Sequence, residues 1–475
     1  MTSKERIDFA LSISTDTKLY LMGGGEYVKA PEAFRRFFPG RKAVILADVH
    51  TWPVLGEKVF HALQADGIET EKYIIDKETF HADWKYVEMA GLVAEGRFAE
   101  AKAVEDDTAH VESDASKAFE LAAPAEYVLV SVGSGVINDL CKLASHHHGQ
   151  SYLTLPTAAS VDGYSSFGAS ITYQGSKQTF TCPAPVAIIA DTDVIAAAPA
   201  EMTAAGYADL AAKVPAGGEW MVADFVGTAP IQADAWHVLQ DHLDGFLSNP
   251  KAVADGDPAA IADVFEGLTL SGIAMQAARS SRPASCCDHL FSHIMDMTGH
   301  RFNGKLQSHG FQVAIGTLTM CAVFDELFKQ DLSAIDVEAC VAAWPSLEEE
   351  QARALELFRN FPAPRLGYEE ITKKYAPADV VREQLTKLKA SWPGFKSELQ
   401  KQLWPFEKMQ KSFRLAGAPS DPSEIGLSRE ALRDMFPKVQ IMRFRYNLLD
   451  LAKRGGFYDA IVNPLFDKGG VWEIK

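Results

Sequence analysis

The sequence predicts two architectures in one chain: an α/β domain on a parallel sheet, then a domain built only of helices. Three observations carry this. Over the first 200 residues, short apolar runs alternate with amphipathic stretches, the pattern of βαβ units. A glycine turn, VGSG, falls between a strand-like run and a helix-like run. From AAAPAEMTAAG (196–206) onward no convincing strand can be read. The boundary is therefore expected near 196–200, giving domains of 1–198 and 199–475.

The elements follow in order. KLYLMGGG is an apolar run ending in glycines, followed by a helical pattern over Glu32–Phe38. KAVILAD reads as a buried strand by its length and branched residues. LGEKVFHALQADGI is a helix and EKYIID a strand. EYVLVSVGSG is a strand and turn, NDLCKLASHH a helix, and SYLTLPT and VAIIAD two further strands. Gln174–Lys177 (QGSK) reads as a hairpin turn, and the polar stretch 101–120 as an exposed helix. Long helical patterns then follow in AAGYADLAAK, DAWHVLQDHLDGFL, LTLSGIAMQAARS, FQVAIGTLTMCAVFDELF, ADVVREQLTKLKASW and VQIMRFRYNLLDLAKRG. Residues 390–428, charged with scattered Pro and Gly, are expected to be a surface elaboration.

Composition narrows the function classes. A chain of 475 residues is too long for one small core. Its net charge of −17 argues against a nucleic-acid partner, which needs a basic face. No run of about 18 apolar residues is read, so no membrane partner is expected. The start, MTSKERIDFALSIS, has no signal-peptide pattern, and six cysteines suggest no disulfide framework; both point to the cytoplasm.

Gly133 and Gly135 sit where a strand ends and a helix begins, so a phosphate can approach the backbone and the helix N-terminus. The third glycine of the usual dinucleotide fingerprint is missing: Val136, Ile137, Asn138 and Asp139 follow. The alternative is an ordinary strand–helix turn. Asp48 ends KAVILAD, where a carboxylate can take ribose hydroxyls or cap the next helix. LPTAASVDGYSSFGAS carries Thr157, Ser160, Asp162, Ser165 and Ser166 on a loop that can close over phosphates or hold a polyol.

SRPASCCDHLFSHIMDM places His289 and His293 four apart, on one helix face. His309 opens the next helical stretch. Two histidines from neighbouring helices can share a cation, and the third ligand must come from elsewhere. Asp209, in the otherwise apolar AAGYADLAAK, offers it. The alternative is packing without a metal. Adjacent cysteines, Cys286 and Cys287, diverge on a helix and no CxxC occurs, so no structural zinc site is expected. His146–His147–His148 reads as a solvated helix end.

Taken together, GSGVINDLCK, PTAASVDGYSS, PVAIIADTDVI, AAGYADLAAK, SRPASCCDHLFSH and SHGFQVAIGT resemble sn-glycerol-1-phosphate dehydrogenases, in the same order. That family belongs to the iron-containing alcohol dehydrogenase and dehydroquinate synthase-like superfamily. The ending MRFRYNLLDLAKRGGFYDAIV is also similar. The resemblance implies a Rossmann-like N-terminal domain and an all-α C-terminal domain, with the active site in the cleft between. It implies an NAD(P) cofactor on Gly133, Ser134, Gly135, Val136, Ile137, Asn138 and Asp139, with Thr157, Ser160 and Ser166 close by and Asp48 on the ribose. It implies a divalent metal, zinc or nickel with iron in relatives, on Asp209, His289 and His309. Asp162 and His293 would serve catalysis, and with Asp209 would face substrate.

The implied reaction is hydride transfer between dihydroxyacetone phosphate and glycerol 1-phosphate. Alternatives within the superfamily are a polyol or glycerol dehydrogenase and a dehydroquinate synthase-like cyclase. The expected partners are a small triose or polyol phosphate and further copies of the chain, as a homodimer or larger. The sequence departs from the family's pattern at Cys287-Asp288, at VPAGGEW, in the longer DMTGHRFNGKLQ and over 345–430. Lys142, Lys177, Lys213, Arg279, Arg282 and Lys305 are the candidates for holding a substrate phosphate.

Overall fold

Branched and aliphatic residues on both faces of KAVILAD and YVLVSVG demand a sheet covered on both sides. The structure, a computed structural model, describes residues 1–112 and 125–475. Its main sheet holds β1 (Leu19–Gly23), β2 (Lys42–Asp48), β3 (Thr70–Ile75), β4 (Tyr127–Gly133), β5 (Leu153–Pro156) and β8 (Ala187–Asp191). The order is β1-β8-β5-β4-β2-β3, with every pair parallel.

Alternate residues feed two cores, as a pleat of period two requires. Val44, Leu46 and Leu129 pack with Trp84, Met89 and Leu140 on one face. Ala43, Ile45, Val128 and Val130 pack with Phe34, Val59 and Leu63 on the other. β6 (Ala169–Tyr173) and β7 (Ser176–Phe180) form the hairpin that QGSK predicts, with Gln174 and Gly175 at φ 49° and 72°.

The chain packs as two compact units, Met1–Leu210 with Asp234–Ser280, and Ala211–Ala233 with Ser281–Lys475. In the first, helix Pro258–Ala278 packs beside the N-terminal helix Ser3–Ile13. Contrary to the sequence reading, this 21-residue helix is long and apolar enough to cross a bilayer, and 78% of its most apolar window is buried within the protein. DAWHVLQDHLDGFL is not one helix but three short turns, with Val238, Leu239, Leu243 and Phe246 still buried.

In the second unit, helix Cys287–Met297 packs lengthwise on helix His309–Leu327. Three expectations are corrected there. First, a small hairpin does form, Arg301–Phe302 against Lys305–Leu306, turning on Asn303 and Gly304 at φ 51° and 76°. Asn-Gly is the strongest local hairpin signal, and it lies in the segment that departs from the family's length. Second, 390–428 is not surface elaboration. Helices Ala378–Gln402 and Phe406–Ala416 and the link between them bury Leu399, Leu403, Trp404, Phe406, Met409 and Phe413. Third, VQIMRFRYNLLDLAKRG breaks into helices Arg429–Ile441 and Leu448–Arg454, because Asn447 and Asp450 form a reciprocal cap.

Two further readings change. His148 is buried and His147 packs against Trp84, so the histidine run is not a solvated end. Burial holds His147 down to about 4. The expected helix over 101–120 is the end of helix Phe98–Asp106, with Ala101 and Glu105 buried; residues 113–124 lie outside the described residues.

Candidate active site

The switch in strand order falls between β2 and β4, where open parallel sheets bind ligands. Leu46 pairs with Ser131, which brings Asp48 level with Gly133 at the carboxyl ends of the two strands. A Cβ on Gly133 would lie 2.6 Å from Ile137 Cγ1, and one on Gly135 would lie 2.9 Å from Val161 Cγ2. These two glycines are required by close packing of the turn. Ser134 is the extended N-cap of helix Gly135–His147 and makes no side-chain cap bond.

Asp48 performs the capping role: its Oδ1 accepts from the N–H groups of His50 and Thr51 at 2.9 and 2.7 Å. Asn138 and Asp139 hold the neighbouring loop. Asn138 donates to the Gly163 carbonyl and accepts from Tyr152 OH, while Asp139 accepts from Ser170 N–H. Burial raises the proton affinity of Asp139 despite the nearby Lys142. Lys142, one of the phosphate candidates, is itself buried and donates to the carbonyls of Gly163 and Gly168 at 2.7 and 3.0 Å.

The hydroxyl-rich loop after β5 is pressed against helix backbones. A Cβ at Gly206 would lie 1.9 Å from the Ala159 carbonyl oxygen, and one at Gly272 would lie 2.0 Å from Ser165 Oγ. Thr157, Ser160 and Ser166 are buried along this loop. Ser160 Oγ lies 3.3 Å from Tyr164 OH, and Ser165 donates to the Thr269 carbonyl. Asp162 donates its N–H to Asp209 Oδ2 at 3.0 Å and accepts from Ser271 Oγ at 3.0 Å. Asp209 is fully buried on helix Ala200–Ala211.

In the second unit the rings of His289 and His309 lie 5.3 Å apart, centroid to centroid. Gly316 makes this possible: a Cβ there would lie 2.1 Å from the Asp288 carbonyl oxygen, so the two helices touch backbone to side-chain-free backbone. Each ring is oriented through Nδ1. Asp288 Oδ2 lies 2.6 Å from His289 Nδ1, and the same carboxylate accepts the Cys286 N–H. Ser292 donates its one proton to Gln312 Oε1 at 2.7 Å and so accepts from His309 Nδ1 at 3.1 Å. Both arrangements make Nε2 the lone-pair nitrogen. His293 stands one turn beyond His289 on the same helix, half-buried.

Sequence reading missed Ser271, Ser292, Gln312 and Glu219. Ser292 and Gln312 stand three residues after His289 and His309, a helical spacing that could have found them. Glu219, Cys286 and Cys287 also converge in this unit. Glu219 already accepts from the N–H groups of Cys287 and Leu448, and burial raises its proton affinity. With Arg282 Nη1 3.2 Å from Cys286 Sγ, the cluster does not suit a cation.

A family model for iron-containing alcohol dehydrogenase matches residues 92–199. A glycerol-1-phosphate dehydrogenase [NAD(P)+] of Halalkalibacterium halodurans is 29% identical over 67% of this chain and 73% of its own length. The enzyme of that name from Pyrococcus furiosus is 36% identical over 40% of this chain and 54% of its own. In fold, a glycerol dehydrogenase from Schizosaccharomyces pombe superposes with a TM-score of 0.56 at 17% identity, covering 95% of this chain and 90% of that one. A probable glycerol dehydrogenase from Sinorhizobium meliloti gives 0.55 at 16%, covering 95% and 97%. Sheet order, glycine turn and sequence likeness agree: the chain is similar to proteins of the iron-containing alcohol dehydrogenase superfamily.

Proposed function

We propose that the chain is an NAD(P)-linked, metal-dependent dehydrogenase that interconverts dihydroxyacetone phosphate and sn-glycerol 1-phosphate. The observation that carries this is the histidine pair, 5.3 Å apart with both Nδ1 atoms held by acceptors. Support also comes from relatives in bacteria and archaea that carry that enzyme's name.

The donor set suits a divalent ion. Two imidazoles presenting Nε2 and one buried carboxylate are ligands that zinc, nickel and iron accept. Asp209, His289 and His309 would hold it, with zinc or nickel favoured. When bound, such an ion would supply Lewis acidity toward the substrate oxygen, and the nicotinamide would supply the hydride chemistry. The reaction balances as ketone plus NAD(P)H plus one proton, giving alcohol plus NAD(P)+.

The protein's own groups position and exchange protons. Asp288 fixes the His289 ring and Ser292 fixes the His309 ring, so neither has to reorient. The Asp162 N–H holds one oxygen of Asp209. The Asp162 carboxylate and the His293 imidazole orient the substrate hydroxyls and pass the proton that accompanies the hydride. Gly133, Ser134, Gly135, Val136, Ile137, Asn138 and Asp139 form the pyrophosphate turn, with Thr157, Ser160 and Ser166 beside it. Asp48 takes the adenosine ribose.

The test is a panel of ketones and polyols, phosphorylated or not, followed by NADH and NADPH absorbance with zinc, nickel or iron added. Reduction of dihydroxyacetone phosphate to the sn-1 product supports the reading. Turnover of unphosphorylated polyols alone, or phosphate release without net NADH loss, rejects it.

A further inference from the structure

The segment MRFRYN, which breaks the helical pattern near the C-terminus, is tied down on both sides. Phe444 donates its N–H to Glu370 Oε2 at 2.6 Å, and the Tyr446 carbonyl accepts from Arg282 Nη2 at 2.6 Å. Arg443 and Arg445 lie on the span so held, both half-buried.

Arg445 Nη2 donates to Ser281 Oγ at 2.5 Å. Ser281 opens the turn that leads into the helix bearing His289, its carbonyl accepting the N–H groups of Ala284 and Ser285. The Arg445 guanidinium thus lies beside the entry to the histidine helix. Burial brings its pKa down to about 10; the like charges of Arg282 and Arg443 act in the same direction, and Cys286 and Asp288 act against it.

Neither Arg443 nor Arg445 forms an ion pair among the described residues. The nearest carboxylates are committed elsewhere. Glu370 serves Lys373 Nζ and the Phe444 N–H. Asp288 serves the Cys286 N–H and His289. Arg282, a sequence candidate for phosphate, is buried against Cys286 Sγ and the Tyr446 carbonyl. Clustered guanidinium charge is costly to hold without an anion.

We propose that Arg443, Arg445 and the Ser281 hydroxyl form the subsite for the phosphate monoester of the substrate. Two planar forks match a phosphate dianion better than a carboxylate, which one would satisfy. The proposal rests on the glycerol-1-phosphate reading given above. It adds which groups distinguish a phosphorylated triose from a plain one.

The experiment compares the metal-loaded enzyme with R445Q and R443Q. In each, KM for dihydroxyacetone phosphate should rise about 10- to 100-fold. The ratio of kcat/KM for dihydroxyacetone phosphate over dihydroxyacetone should fall by a similar factor. Competitive inhibition by inorganic phosphate should weaken in step. KM for NADH and NADPH should move alike, whereas a selective rise for NADPH would assign the arginines to the cofactor's 2′-phosphate and overturn the proposal. Unchanged KM and unchanged phosphate inhibition would also overturn it.

If the parent does not turn over dihydroxyacetone phosphate, the functional reading fails on its own account. Calorimetric titration of the parent and R443Q with inorganic phosphate then decides the subsite. Loss of binding in R443Q supports it, and equal or absent binding rejects it. R445K, which keeps the charge without the fork, should lie between the parent and R445Q. It also serves if R445Q does not fold.

Discussion

The main-chain N–H of Asp162 points at Asp209 Oδ2 from 3.0 Å. A backbone donor therefore fixes a buried carboxylate, and no side-chain rotamer has to be ordered to do so. Ser271 holds the Asp162 carboxylate in turn, at 3.0 Å. The two acids sit at fixed positions before any ligand arrives.

Replacing Asp209 by Asn keeps an acceptor for that N–H but removes the charge. D209N should fold with nearly the parental Tm, yet lose bound metal and at least about 100-fold in turnover. Metal analysis after desalting and NADH-linked assays check this. Full metal content in D209N would remove Asp209 from the ligand set. H309A should likewise lose metal and activity while its far-UV circular dichroism is unchanged.

Ser292 sets the His309 tautomer through its bond to Gln312. S292A should weaken metal binding about 10- to 100-fold, the usual cost of losing such an outer partner. Competition with a chromophoric chelator measures it. Equal affinity in S292A and the parent would mean the ring needs no such support.

Gly316 meets the Asp288 carbonyl oxygen at 2.1 Å from an added Cβ. G316A should lose about 1–3 kcal/mol in urea unfolding. Gly394, on a helix with nothing within 4 Å of an added Cβ, is the control. G394A should gain about 0.5–1 kcal/mol from helix propensity. A G316A protein as stable as the parent would mean that the two helices shift apart at no cost.

His147 titrates at about 4 in the folded chain because burial disfavours its charge. The unfolded chain takes up that proton near pH 6.5. Between these values the unfolded state binds more protons, so stability falls as pH drops from about 6.5 towards 4 and levels off below. H147F, packed against the same Trp84, should show a shallower fall of Tm over that window. Parallel Tm curves for H147F and the parent would count against it.

The sheet was legible because its strands carry a strong local signal. KAVILAD and YVLVSVG are branched, short and bounded by turns, and their ends fall within a residue or two of β2 and β4. The spacing of four that puts His289 and His293 on one helix face was legible, whereas the 5.3 Å approach of the His309 ring to His289 depends on how two helices pack. Other features depend on contacts between distant residues. Glycines 206, 272 and 316 look like helix weaknesses in sequence; only packing gives each a reason. The burial of Leu399, Trp404 and Phe413 was masked by the charged residues between them. The Asn303-Gly304 turn was readable and was passed over, since two-residue strands carry no periodicity.

The backbone contacts of Gly206 and Gly272 have a last consequence. The chain from Ala159 to Ser165 is wedged between two helices with no side-chain cushion on either. A segment held that tightly does not swing as a lid over ligands. It is a fixed wall.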